Sequence, residues 1–148
     1  MPETMKLVVF KETRARLPIG RIRRLFSVLV RGESKAGTSG QINLIICTDS
    51  RIRSLNRRFR GIDRATDVLS FNLDSLGRVD SILGEIYISA PYATRQAHRL
   101  GRGLYDEYLL LFCHGLLHLF GHDHDIEKRE RAMFDLQTRY LNALRRKG

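Results

Sequence analysis

Apolar positions along this chain fall into two rhythms that alternate from one end to the other. Residues 5–10 form a short apolar run that reads as a first strand. Residues 18–30 then carry Ile22, Leu25, Phe26 and Leu29 at helical spacing, with Pro18 near the first turn, where a missing N–H is harmless. Residues 32–40 are glycine-rich and read as a loop, and 41–48 hold Ile42, Leu44, Ile45 and Ile46, the branched run of a buried strand. Asp49 or Ser50 is placed to cap a helix reaching about residue 59, with Ile52, Leu55 and Phe59 facing inward. Two more strands are expected over 67–71 and 82–89, joined by a turn-rich piece around Gly77. Ser89 and Pro91 open a helix that ends near Leu100. An unusually apolar helix follows over 104–120. The last helix, 125–146, is amphipathic through Ile126, Met133, Leu136, Tyr140, Leu141 and Leu144. Strands mixed with a larger share of helix give an α+β class, a small mixed four-stranded sheet with packed helices.

At 148 residues the chain is expected to be a single domain, 1–148, able to bury a core without staples. No apolar run reaches the length of a membrane span, and the run after the N-terminus is too short for a signal-peptide core, so a cytoplasmic protein is expected. Cys47 and Cys113 both sit in apolar segments and read as buried thiols in a reducing compartment. Charge changes the picture more. Lys and Arg total 26 against 16 acids, a formal +10, with arginine dominant. Such a field draws polyanions, and the planar guanidinium pairs with phosphate at two points. Arg51, Arg53, Arg57, Arg58, Arg60 and Arg64 crowd the second helix and the loop after it. Most of a charged helix face is merely solvated, but Arg60-Gly61 stands where the helix ends and the chain turns, so the fold itself aims that side chain.

The chemistry concentrates in the segment 114–124. Four of the five histidines lie there, and His114 and His118 are one helical turn apart on one face. Gly121 is suited to end the helix and swing the chain back with a third imidazole, either His122 or His124; the reach over the turn favours His124. Three neutral imidazoles suit zinc and leave a fourth position open for water, whose pKa falls toward about 7 on the ion. Nickel accepts the same donors. A similar His spacing occurs in the long zinc-protease motif, but there a glutamate follows the first histidine as general base. Here that position is Gly115, which has no proton acceptor. The general base is left open: Asp123 is placed to orient an imidazole or take a proton, or else to cap a helix. Asp67 and Glu85 are equally placed to support the site or the sheet, and Ser70 to bind phosphate or backbone. The nucleophile is also left open.

Leu55-Asn56, Phe59-Arg60-Gly61, Thr66-Asp67-Val68-Leu69-Ser70-Phe71, Leu83-Gly84-Glu85-Ile86 and the histidine block, in that order and spacing, resemble the YbeY family of bacterial metal-dependent single-strand endoribonucleases. The resemblance covers residues 42–141. It implies a zincin-like α+β fold with the metal site at the end of a central helix, His114, His118 and His124 as ligands, and Arg60 acting with His114 in RNA cleavage. It further implies maturation of the 16S ribosomal RNA 3′ end, ribosome quality control, and the ribosome or its small subunit as partner. Arg57, Arg58 and Ser70 are then candidate RNA contacts. Ala65 and Asn72 stand where the family often has proline, and His122 where tyrosine is common. Two other classes compete. One is a zinc metallopeptidase-like hydrolase with Asp123 as base. The other is a non-catalytic RNA-binding ribosome-assembly factor whose metal is structural.

Overall fold

The computed structural model describes residues 4–34, 39–73, 82–122 and 127–146. Nine elements follow in the order β1 (Thr4–Lys11), α1 (Ile19–Glu33), β2 (Ser39–Cys47), α2 (Asp49–Arg60), β3 (Val68–Asn72), β4 (Ile82–Ser89), α3 (Ala90–Leu100), α4 (Leu104–Leu119) and α5 (Glu127–Arg146). The four strands make one mixed sheet in the order β1-β2-β4-β3. β1 and β4 run parallel to β2, while β3 pairs antiparallel with β4 and forms one edge. The α+β class and the mixed four-stranded sheet are as the hydrophobic pattern predicts.

Side chains of a strand alternate between the two faces, so the pairing register sorts the core into two parts. One face carries Ile42, Leu44, Ile46, Ile86 and Ile88, all nearly inaccessible. Against them pack Ile22, Leu25 and Leu29 of α1, Phe112, Leu116 and Leu117 of α4, and Met133, Tyr140 and Leu144 of α5. The other face is smaller: Ile45, Leu69 and Tyr87 meet Ile52 and Leu55 of α2. α4 is therefore an interior helix, buried on several sides, which explains why its sequence is apolar nearly all round.

Four expectations need correction. The 32–40 tract is not all loop: α1 continues through Glu33 and β2 begins at Ser39. Leu29 and Val30 are still buried against the core, and that packing carries the helix one turn further. The cap of α2 is Thr48, one residue before the expected pair; its hydroxyl accepts from Arg51 N–H at 3.2 Å. β3 starts at Val68, because Asp67 is turned to accept Val68 N–H at 2.8 Å on its own carboxylate. Phe59, expected inward, is 58% exposed. It lies in the last turn of α2, where β3 is the edge strand and, among the described residues, no further strand offers a wall. The turn expected around Gly77 and the start of the last helix at 125 lie outside the described residues.

Candidate active site

α4 brings the reactive groups to one end of the sheet. His114 Nε2 and His118 Nε2 face each other at 3.1 Å, as the one-turn spacing requires. Two nitrogens bound to one tetrahedral ion at about 2.0–2.1 Å would stand about 3.3 Å apart, so the observed separation suits a shared cation. The tautomer also suits it. His114 Nδ1 lies 2.8 Å from Gln137 Oε1, which only accepts, so Nδ1 carries the proton and Nε2 presents its lone pair. Gln137 is itself buried on α5. Among the described residues, no group of three or more His, Cys, Asp or Glu side chains stands together as a complete ligand set.

The helix end is built as the glycine predicts. Gly121 has φ 95°, its N–H donates to His118 C=O at 3.0 Å, and His122 N–H donates to Leu117 C=O at 3.0 Å. That pair of bonds is a Schellman motif, which reverses the chain over α4. It delivers His122 toward α1, where Nε2 meets Glu33 Oε1 at 2.6 Å. Tyr140 donates its hydroxyl to the other Glu33 oxygen, also at 2.6 Å. Burial raises the Glu33 pKa, but these two hydrogen bonds, with the charges of His122 and Arg139, outweigh it and hold the carboxyl below 4.5. Of the two candidate third imidazoles, His122 is therefore engaged by a carboxylate. His124 and Asp123 lie outside the described residues.

A cleft of about 640 Å³ opens over the histidine pair along the edge of β3. Arg60, Thr66, Asp67, Ser70, Asn72, His114, His118 and His122 all line it. The sequence separates Arg60 from His114 by most of the fold, and α2 and α4 lie on opposite faces of the sheet; the edge strand is where they meet. Gly61, at φ 71°, closes α2 and fixes the exit of Arg60. Buried Asn56 donates to Arg64 C=O at 2.9 Å and ties down the loop that follows. Arg57 does not reach the cleft: it lines a second depression of about 680 Å³ with Arg53, Asp63 and Arg64. Two exposed groups there, Arg53 and Asp63, hold each other at 2.9 Å. Arg58 lies beside the Phe59 ring.

Several residues left open by sequence now have partners. Ser70 donates its hydroxyl proton to Gly115 C=O at 3.0 Å, which clamps β3 to α4 and leaves its oxygen able only to accept. Asp67 is held by Gln96 Nε2 at 3.1 Å, and Gln96 also donates to fully buried Glu107 at 2.6 Å. Arg102 pairs with that same Glu107 at 2.9 Å. Glu85 is absent from the cleft lining; it accepts from Asn43 on the neighbouring β2 and from the Tyr87 hydroxyl two residues along its own strand. Cys113 is buried, and burial pushes its thiol up to about 12, so it is a packing residue and not a thiolate donor. Gln137 and Glu33 escaped sequence reasoning. A signal for Gln137 existed: it is the polar residue on the stripe Met133, Tyr140, Leu144 that α5 turns to the core.

Comparison with known proteins adds a family to this geometry. A model of the family described as endoribonuclease YbeY matches residues 10–145. The endoribonuclease YbeY of Sulfurihydrogenibium sp. is 42% identical over 106 residues, 70% of each chain. That of Koribacter versatilis is 41% identical over 111 residues, 75% of this chain and 70% of the relative. The Helicobacter pylori protein of the same name is 46% identical over 90 residues, 61% of this chain and 63% of the relative. The solution structure of TM1509 from Thermotoga maritima superposes with a TM-score of 0.62 at 29% identity, over 93% of this chain and 88% of that one.

Proposed function

The chain belongs to the endoribonuclease YbeY family, and we propose that its cleft cleaves phosphodiester bonds of single-stranded RNA with one divalent metal ion held by His114, His118 and His124. The observation that carries this reading is the meeting, in one cleft, of a convergent imidazole pair with Arg60. Zinc suits the donor set, and nickel is an acceptable alternative. The engagement of His122 by Glu33 supports His124 as the third ligand. A bound ion would supply Lewis-acid polarisation of a phosphoryl oxygen and a water activated at neutral pH.

The chain's own residues do the rest. Gln137 keeps His114 in the tautomer whose Nε2 lone pair would serve a bound ion. Arg60 offers the fork of donors that meets the charge growing on the non-bridging phosphate oxygens; such an aimed donor is worth about 3–4 kcal/mol of barrier. Arg58 and, from the neighbouring depression, Arg57 attract the strand through its phosphates, so binding weakens with salt. Ser70 contributes by fixing α4 against β3 and so setting the distance from the histidines to the strand edge. We assign the activity to ribosomal RNA processing in the cytoplasm, at the 3′ end of the small-subunit RNA, and to ribosome quality control. The family membership and the +10 charge support that assignment. The glutamate of the long zinc-protease motif has no room here, since even a methyl at Gly115 would lie under 3 Å from Ile86 and Ser70.

The test pairs metal content with cleavage. Wild type, His114→Ala and Arg60→Ala are measured by mass spectrometry for bound metal and assayed on single- and double-stranded RNA. Metal and single-strand cleavage in wild type, loss of both in His114→Ala, and metal without cleavage in Arg60→Ala are expected. Cleavage that persists equally in both variants would sink the assignment, as would a wild type that holds metal and leaves RNA intact.

A further inference from the structure

Phe59 departs from the hydrophobic pattern of its own helix. Its neighbours Ile52 and Leu55 are buried, yet this ring, at the same helical phase, stays 58% exposed. It is nonetheless fixed in place. Its centroid lies 5.2 Å from that of Phe71 at an interplanar angle of 61°, and Phe71 in turn meets Tyr87 at 5.8 Å and 77°. Edge-on contacts of this kind anchor a ring by its rim or against another ring's rim, which sets its plane without enclosing it. The Arg58 guanidinium lies over the ring, 5.2 Å from its centroid. Arg60, one residue on, lines the cleft that contains His114 and His118.

We propose that Phe59 is a stacking platform for an unpaired base of the RNA strand, the base taking the place of the Arg58 guanidinium over the ring and Arg58 turning to the adjoining phosphate. This inference rests on the ribonuclease reading of the same cleft and adds the part of the substrate recognised there. A π face accepts any base, so the platform selects no sequence. It does select strandedness: in a duplex each base is already stacked on both faces and paired, so none is free to lie on Phe59. Phe59 rests against Phe71 of β3, whose neighbours Ser70 and Asn72 line the cleft, so a base on Phe59 brings the strand to the rim of the cleft that Arg60 lines. Arg60 then handles the phosphate that reacts, while Phe59 positions a nucleotide that does not.

The probe is a labelled oligodeoxyadenylate, which a ribonuclease leaves intact, compared with an abasic oligomer of the same length. Binding is followed by fluorescence anisotropy for wild type, Phe59→Leu and Phe59→Trp. We expect Phe59→Leu to bind the oligodeoxyadenylate roughly ten- to one-hundred-fold more weakly, and Phe59→Trp to retain or improve binding, as stacking on aromatic rings predicts. Binding of the abasic oligomer should be the same in all three, since its phosphates keep their arginines. On single-stranded RNA, Phe59→Leu should raise KM and leave kcat near wild type. A 2-aminopurine base in the oligomer should be quenched by wild type and not by Phe59→Leu. Equal binding of the oligodeoxyadenylate by wild type and Phe59→Leu overturns the platform and leaves the ribonuclease reading standing. A wild type that binds no single strand and cleaves no RNA overturns both.

Discussion

Replacing Gly115 by alanine should destabilise this protein, although glycine-to-alanine changes inside helices ordinarily do the opposite. Removing a helical glycine gains up to about 1 kcal/mol of helix propensity. At position 115 the new Cβ would lie 2.8 Å from Ile86 Cγ2, 2.9 Å from Ser70 Oγ and 3.4 Å from Val68 Cγ2. Carbon atoms prefer roughly 3.5–4.0 Å, so a displacement of about half an ångström or more is needed. Ile86 has no freedom to give: it is wholly buried on β4, which is paired on both sides. Ser70 is on the edge strand but is tied to the Gly115 carbonyl, so moving it breaks that bond. Overpacking of this kind costs about 1–3 kcal/mol. Set against the full propensity gain, the net loss is up to about 2 kcal/mol, a fall in Tm of up to about 8 °C for a domain of this size. Gly20 in α1 is the control, because nothing lies within 4 Å of a Cβ there; Gly20→Ala should hold or raise Tm. Calorimetry on the two variants gives the answer. Gly115→Ala melting above wild type would refute the claim that α4 is seated on β3 and β4 through a residue without a side chain. The companion double variant, Ser70→Gly with Gly115→Ala, should recover part of the loss.

Three further outcomes are expected. Arg60→Ala should lower kcat/KM on single-stranded RNA by about 10²–10³ with bound metal and Tm unchanged, and Arg60→Lys should recover only part because the two-point fork is lost; steady-state kinetics decide it. Gln137→Leu should weaken metal binding by about ten- to one-hundred-fold in a chelator competition while the fold survives, since the His114 tautomer is no longer fixed. Glu33 gives a pH signature. Its carboxyl is depressed when folded, so it binds fewer protons than in the unfolded chain, and its contribution is complete above 4.5 and lost as pH falls through the lower folded value. Denaturation of wild type and Glu33→Gln along an acid series should therefore show wild type losing stability more steeply below 4.5, with the two curves converging; parallel curves would exclude Glu33 as the source.

Whatever depends on local spacing could be read from the residues alone. Residues four apart must share a helix face, so the convergence of His114 and His118 was legible before any fold was known. Gly121 announced the turn after them, Arg60-Gly61 the end of α2, and the alternation of short and long apolar periods the order of nearly all the elements. The tertiary structure decided everything that depends on which element lies beside which. Nothing in the local pattern says that β3 is the edge strand, yet that position lets Arg60 from one face and the histidines from the other line one cleft, and it leaves Phe59 exposed. Nor could spacing reveal that Gln137 from α5 sets the His114 tautomer, or that Glu33 from α1 takes His122. Gly115 shows the division most plainly. The sequence identified it as a missing base; only the packing of α4 on Ile86 and Ser70 shows that no base could fit there.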